Sequence, residues 1–293
     1  MRITNRILYL EALAALQKNL QAVDQAREWI ATGTRIRRAS DDPGAIGAVL
    51  RADSQVRALA QYRRNIAAAR SRLQTEELVL SQLTENLTRA KEIGLAQAGS
   101  TANAASRAAA KEHVDRILEQ IIQAANTRFN GKYLFGGHFA DQVPLDPTGA
   151  FDPTRPPAGA HQVEIGANQV VRTNHDALEI FIQSGVIDAL QQLSAGLGAD
   201  DDNAIRGALD LIETAFHNVQ ALLGDVGARS LHLDIAEANL DALEVNLLNF
   251  RAELAEVEFE EAVTTLVQRQ TAYQAALLAT SRILTTTLVD YLR

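Results

Sequence analysis

The chain of 293 residues has no cysteine, only six prolines, and 5% aromatic residues. The absence of cysteine excludes disulfides, thiolate catalysis and cysteine-based zinc sites. The formal net charge of −8 offers no basic surface, so we expect no nucleic-acid partner. No apolar run reaches the length of about 18 residues that a membrane helix needs, so we expect no membrane insertion. The first segment also lacks the features of a cleaved secretory signal.

The prolines separate helical flanks from a non-helical middle. One is Pro43, and the other five lie between Pro144 and Pro157. Proline breaks helix interiors, so the proline-free flanks predict long helices. Apolar residues recur there in steps of three and four, the spacing of supercoiled helical bundles. The predicted seams include Ile66, Leu73, Leu80 and Leu87, then Ile205, Ile212 and Val219, and finally Leu233, Leu240, Leu243, Phe250 and Val257.

The stretch TGTRIRRASDDPGA, residues 32–45, interrupts the first helical pattern. Gly33 suits the left-handed position that follows a helix. Asp42 suits the N-cap of the next helix, with Pro43 at its first position. These residues predict an irregular joint between two helices. Its basic residues either contact acidic groups of a neighbouring subunit or form a solvated loop: Arg35, Arg37 and Arg38.

A second joint is predicted near residue 258, because the heptad changes phase there. The seam that reaches Val257 continues onto Glu261 and Thr264, which are polar, while the apolar residues resume at Val263. This pattern predicts a continuous helix that changes its packing partner. About 33 residues precede the first joint and about 35 follow the second. Paired side by side, they predict a terminal coiled coil roughly 45–50 Å long.

The terminal segments carry apolar residues on more than one face, which predicts burial against other subunits. Self-assembly is therefore expected. We assign the assembly interface to the three arginines of the joint and to Ile3, Ile7, Leu10, Val263, Leu266, Tyr273, Leu277, Leu284 and Leu288.

The middle of the chain predicts a small β-rich element. FNGKYLFGGH, residues 129–138, places β-favouring aromatics around a turn, and residues 163–182 contain apolar runs around a second turn signal. The sequence NGKY lacks the full phosphate-loop pattern. The six histidines have no metal-ligand spacing, and the run Asp200–Asp202 predicts a helix start rather than a calcium loop. We expect no catalytic residues, no cofactor and no metal.

Several of these motifs resemble one family. TGTRIRRASDDPGA, followed by QYRRNIAAARSRLQTEELVLSQL, resembles the N-terminal region of bacterial flagellins and their junction relatives. FNGKYLFGG and the final AYQAALLATSRILTTTLVDYLR are similar to the hook-associated protein 3 family of hook–filament junction proteins. The resemblance covers residues 1 to about 140 and about 185 to 293.

The resemblance implies a mainly α fold: an elongated flagellin-like bundle of long helices with a terminal coiled coil and a small β-rich insert. It implies an inner-core domain of residues 1–41 and 259–293, a helical shaft of 42–140 and 186–258, and an outer domain of 141–185. The terminal segments would be disordered in the monomer and pair on assembly.

The implied role is structural. Copies of the protein would form a ring between hook-associated protein 1 and the first flagellin subunits. The chain would be exported through the flagellar type III apparatus without a cleaved signal peptide, with a flagellar export chaperone covering its C-terminal helix, and would reside on the extracellular flagellum. Three alternatives stay open: filament flagellin itself, a helical enzyme with a site in the β-rich middle, and an unrelated coiled-coil scaffold.

Overall fold

The computed structural model describes residues 2–99 and 103–291, except the side chains of 2–6, 8, 9 and 282–291. The described chain is mainly helical, which confirms the predicted fold class. Its α-helices are α1 (Arg2–Thr32), α2 (Ile46–Gln97), α3 (Ala104–Ala125), α4 (Val186–Ala199), α5 (Asp202–Ala255) and α6 (Phe259–Tyr291). The contacts divide the chain into two compact units, Met1–Arg57 with Leu243–Arg293, and Ala58–Ala242.

The first unit pairs α1 with α6 and joins them through a short backbone bridge. After α1, Thr34 forms an antiparallel bridge with Glu256. The Arg35 N–H donates to the Ala255 carbonyl oxygen at 2.6 Å, and the Val257 N–H donates to the Gly33 carbonyl oxygen at 3.1 Å. These bonds hold the two predicted joints against each other.

The predicted continuous helix through residue 258 is wrong. Helix α5 ends at Ala255, and α6 begins only at Phe259. The reason is the backbone bridge, because it commits the Val257 N–H to an acceptor outside the helix. The predicted domain boundaries at 41/42 and 258/259 differ from the limits of the compact units, at 57/58 and 242/243. The three-domain division therefore stays a prediction.

The second unit buries two heptad seams. On α2, residues spaced by seven have no exposed surface, and on α5 a matching series is equally buried: Ile66, Leu73, Leu80 and Leu87, then Ile205, Ile212, Val219, Val226 and Leu233. Ion pairs flank the seams, including Arg70 with Asp234 and with Glu237, both at 2.6 Å. The seams confirm the heptad prediction for this part of the chain.

Helix α3 begins at a capping box. The Asn103 side chain accepts from the Ser106 N–H at 2.8 Å, and the Ser106 hydroxyl accepts from the Asn103 N–H at 3.2 Å. At the start of α5, Asp201 accepts from the Asn203 N–H at 2.8 Å. A carboxylate at this position stabilises the helix N-terminus, because it accepts a hydrogen bond from a free N–H group and complements the helix dipole. Asp201 lies in the acidic run that the sequence assigns to a helix start.

Two small hairpins confirm the predicted β element. Strand β1 (Arg128–Phe129) pairs antiparallel with β2 (Lys132–Tyr133), and β3 (Gln162–Gly166) pairs antiparallel with β4 (Gln169–Arg172). The first turn uses Asn130 and Gly131, with φ angles of +50° and +81°. Both central residues of a type I′ turn need such positive values, which suits Asn-Gly.

The predicted β structure does not extend to residue 182. Beyond Arg172 the chain leaves the hairpin, and Leu178–Gln183 forms a π-helix. The Ala177 N–H donates to the Phe135 carbonyl oxygen at 2.9 Å, and the Phe135 and Phe181 rings meet edge to face with centroids 5.6 Å apart. Packing of the buried apolar residues, rather than their β propensity, decides this segment.

Candidate assembly surface

The α1–α6 pair buries only part of its apolar surface. Val23 and Ala26 of α1 and Ala262 of α6 are buried. Large apolar side chains elsewhere on the same helices face solvent: Ile7, Leu10, Leu13 and Leu20 on α1, and Phe259, Val267, Leu277 and Leu278 on α6. A helix pair with an apolar stripe left in water has an unfilled packing surface.

The end of α5 has the same property. Its seam is buried as far as Leu240, but Leu243 and Phe250, which continue the seam in the first unit, are 47% and 45% exposed. Val245 is exposed as well. The predicted seam continues to Val257, but Leu243 and Phe250 are not buried, because no side chain in the described part of the chain covers them.

The first joint has a defined geometry around Gly33 and Asp42. Gly33 has a φ of +67°, and its N–H donates to the Trp29 carbonyl oxygen at 2.7 Å. The Asp42 side chain accepts from the N–H groups of Gly44 and Ala45, each at 3.0 Å. Pro43 directly follows Asp42, at the position where a missing N–H has no consequence. Regular helix geometry starts three residues later.

The side chains of Arg35 and Arg37 have partners within the chain. Arg35 donates from Nη2 to the Leu254 carbonyl oxygen at 3.1 Å, and Arg37 donates from Nη1 to Glu28 Oε1 at 2.5 Å. Asp41 accepts from the backbone N–H groups of Arg37 and Arg38, and these bonds hold the pKa of Asp41 below its ordinary value. Contacts of the arginines with a neighbouring subunit stay a prediction.

The remaining predicted interface residues fall into three groups. Ile7, Leu10 and Leu277 are exposed. Val263, Leu266 and Tyr273 are partly buried. The side chains of Ile3, Leu284 and Leu288 lie outside the described residues.

Sequence reasoning missed the exposure of Phe259. It lies between Glu258 and Glu260 in the acidic cluster at the second joint, and the heptad pattern assigns it to no seam. Only the position of the helix break brings it to the first turn of α6.

Other kinds of site were sought in the described part of the chain. Within residues 2–99 and 103–291, no group of three or more His, Asp or Glu residues is placed to hold a metal ion. None of the helices in those ranges has an apolar stretch long enough to cross a membrane.

Family models match both helical flanks. The model of the bacterial flagellin N-terminal helical region matches residues 3–140, and the model of the bacterial flagellin C-terminal helical region matches residues 209–292. Together they match more than half of the chain. This protein belongs to the bacterial flagellin family.

Relatives of this flagellin-family chain include flagellins and flagellar hook-associated proteins. The flagellin of Bacillus subtilis is 27% identical over 94% of this chain and 94% of that protein. The flagellar hook-associated protein 3 of Escherichia coli is 23% identical over 94% of this chain and 95% of that protein. Sequence identity alone therefore places the chain near both kinds of flagellar subunit.

Solved structures share the fold of this flagellin-family chain. A Vibrio parahaemolyticus structure described as a flagellar hook-associated protein matches with a TM-score of 0.67 and 22% identity, over 74% of this chain and 100% of that one. Bacillus cereus FlgL matches with a TM-score of 0.60 and 20% identity, over 68% of this chain and 97% of that one.

Proposed function

We propose that this chain is a structural subunit of the hook–filament junction. It joins the hook, through hook-associated protein 1, to the first flagellin subunits, and copies of the chain form the ring between them. The observation that carries the proposal is the apolar surface left exposed on α1, α6 and the end of α5. The hook-associated proteins among its relatives and fold neighbours support the choice of the junction.

The mechanism couples the order of the terminal helices to assembly. A helix pair with little tertiary packing is marginally stable in water, since most helical stability in proteins comes from the packing of an apolar face. Neighbouring subunits supply that packing by covering residues such as Leu10 and Leu278, which are 52% and 66% exposed in the single chain. Burial of apolar surface contributes about 25 cal/mol per Å². Each side-chain contact therefore contributes little free energy, and the stability of the interface comes from the sum of many contacts.

Limited proteolysis tests this coupling on the free chain. The proposed terminal domain, residues 1–41 and 259–293, should be cleaved first in the monomer and protected in the assembled ring. Equal protease resistance of both ends in the free and assembled states would contradict the coupling.

A second candidate is filament flagellin, favoured by the match to the Bacillus subtilis protein along nearly the whole of both chains. Filament seeds distinguish the two roles. A flagellin adds to seeds repeatedly, so filament length grows with time. A junction subunit binds hook ends that carry hook-associated protein 1 and then accepts flagellin, without forming long filaments alone. Seed elongation by the purified chain would overturn the junction assignment in favour of the flagellin role.

The remaining parts of the proposal follow from the role. The protein acts outside the cell as part of the flagellum, and it has a structural role rather than an enzymatic one. A flagellar export chaperone covers the apolar face of α6 before export, because the side chains that assemble later would otherwise be exposed to water. Co-purification of the chaperone with the full chain, and its loss when the exposed leucines of α6 are made polar, is the expected result.

A further inference from the structure

The charges of the first unit are divided between its two chain segments. Residues 1–57 contain nine Lys and Arg against six Asp and Glu, whereas residues 243–293 contain four against seven. The unit is therefore neutral as a whole, and the net charge of −8 belongs to residues 58–242, with 15 against 23. Net charge of one sign opposes association of copies. The neutral unit, which also has exposed apolar side chains on α1 and α6, is the part of the chain where this repulsion is smallest.

Arg38 is the cation of the first joint that has no partner within the described residues. Arg35 donates to the Leu254 carbonyl oxygen and Arg37 donates to a glutamate of α1. The Arg38 side chain is exposed and makes no hydrogen bond or ion pair in the described part of the chain, and nearby Asp41 accepts from backbone N–H groups instead. Arg38 lines a groove together with the half-buried indole ring of Trp29. Arginine and tryptophan are residues on which binding energy at protein interfaces concentrates.

The second joint has the opposite charge. Glu258, Glu260 and Glu261 are exposed, and their carboxylates form no ion pair with any residue that the structure describes. Phe259 lies among them and is 68% exposed. Glu260 and Glu261 lie in the first turn of α6, where carboxylates complement the helix dipole. That effect accounts for acidic residues at this position, but it does not account for a phenylalanine left in water between them.

Ring symmetry brings the two joints of neighbouring copies to the same level. In a ring generated by rotation, each residue lies at one height along the axis in every copy. Within one chain the joints lie against each other, because the Arg35 N–H donates to the Ala255 carbonyl oxygen and the Val257 N–H donates to the Gly33 carbonyl oxygen. The first joint of one copy therefore lies level with the second joint of the next. Contacts in such a ring are heterologous, so the two partners present different surfaces.

We propose that the second joint of one copy docks on the first joint of the next copy. Glu258 and Glu261 then face Arg38, and Phe259 packs beside Trp29. This inference rests on the proposed ring and names the surfaces that close it. Complementary charges at an interface mainly determine which surfaces meet and in what register. The exposed apolar faces of α1 and α6 supply the remaining contact area.

Charge reversal tests the contact, and co-sedimentation of the purified full chain with isolated hooks is the measurement. Arg38→Glu alone and Glu261→Arg alone should each weaken binding by about tenfold, because each replaces an attraction between exposed charges by a repulsion. Arg155→Glu makes the same charge change as Arg38→Glu at an exposed position of the second unit, and it should bind as the wild-type chain does. Wild-type binding by both joint variants would overturn the proposal.

A mixture of the two variants identifies the partner. In the mixture, Glu261 of an Arg38→Glu chain meets the intact Arg38 of a Glu261→Arg chain, and at the following contact the two reversed charges attract each other. The equimolar mixture should therefore recover the binding that each variant lacks alone. An ion pair within one chain, a contact with hook-associated protein 1 or flagellin, or a weakened α6 is not restored by mixing. Failure of the mixture to bind would refute a contact between copies.

Cross-linking locates the contact without reversing a charge. The chain has no cysteine, so Arg38→Cys and Glu261→Cys each carry a single thiol. On hooks, a bifunctional maleimide should join the two variants into dimers when they are mixed, and either variant alone should stay monomeric. A mixture without dimers, while the wild-type chain binds hooks, contradicts the contact and leaves the junction role intact. A wild-type chain that does not bind hooks contradicts the junction role and the contact that rests on it.

Discussion

Leu277→Asp tests the proposed assembly surface at one side chain. Leu277 lies on α6 and is 42% exposed in the single chain. Full burial of a leucine contributes about 1.5–3 kcal/mol. The fraction that a neighbouring subunit still has to cover is therefore worth about 0.6–1.3 kcal/mol to each contact.

The aspartate does more than remove this contribution. A charge at a covered position must be desolvated, which costs several kcal/mol unless it is paired. A loss of about 1.4 kcal/mol is a tenfold loss of affinity, so each subunit contact should weaken by at least about tenfold. Every subunit of the proposed ring would carry the change, so the effect would be repeated at each contact.

The assay is restoration of filaments in cells that lack the native protein, together with co-sedimentation of the purified variant with isolated hooks. The second unit, Ala58–Ala242, does not contain Leu277, and its thermal unfolding should stay unchanged. Gln274→Asp is the matched control, because it adds the same charge to an exposed polar position one turn earlier on α6. Normal filaments with Leu277→Asp would refute the reasoning. Equal failure of both variants would show that charge on α6, rather than loss of apolar contact, is the cause.

Three further changes probe the fold. Leu73→Ala removes a fully buried side chain of α2 and should lower the free energy of unfolding by about 2–5 kcal/mol in urea, whereas Leu78→Ala, exposed on the same helix, should change it by less than about 0.5 kcal/mol. Gly131→Ala meets no neighbouring atom within 4 Å but has a φ of +81°, so the strain alone should cost about 1–2 kcal/mol, and an unchanged melting temperature would contradict this. The pKa of Asp41 is lowered by the backbone N–H groups of Arg37 and Arg38, which donate to its carboxylate. The stability that these hydrogen bonds give the joint is therefore present at neutral pH and is lost as the pH falls through the lowered pKa. Exchange of those amides should show the acid dependence, and Asp41→Asn should abolish it.

Much of the fold was predictable because the signals are local. Apolar residues seven apart, such as Leu73 and Leu80, require only a helix with one covered face, so spacing predicts both helix and seam. Asn130-Gly131 needs no distant contact to form its turn. The candidate surface was partly predictable for the same reason, since Leu10 and Leu277 lie on helices with more than one apolar face.

The failures occurred where a distant segment decides the outcome. Val257 continues a heptad seam, yet its N–H bonds to the carbonyl of Gly33, more than two hundred residues away, and the helix stops. The seam residue Leu243 looks the same as Leu240 in sequence, but only Leu240 is buried. A periodic pattern reports that a face is apolar, and it contains no information on whether a partner covers it.

The amino-acid sequence alone determined the long helices, their seams, the two hairpins and the membership of a flagellar family. Each depends on residue spacing or on the backbone preferences of single residues. Tertiary structure alone decided where α5 ends and which apolar side chains stay in water. It also decided that Glu76 and His175, which are 99 positions apart in the sequence, are in contact. Hydrogen bonds and charges between remote segments depend on how the helices pack, and no local pattern records that packing.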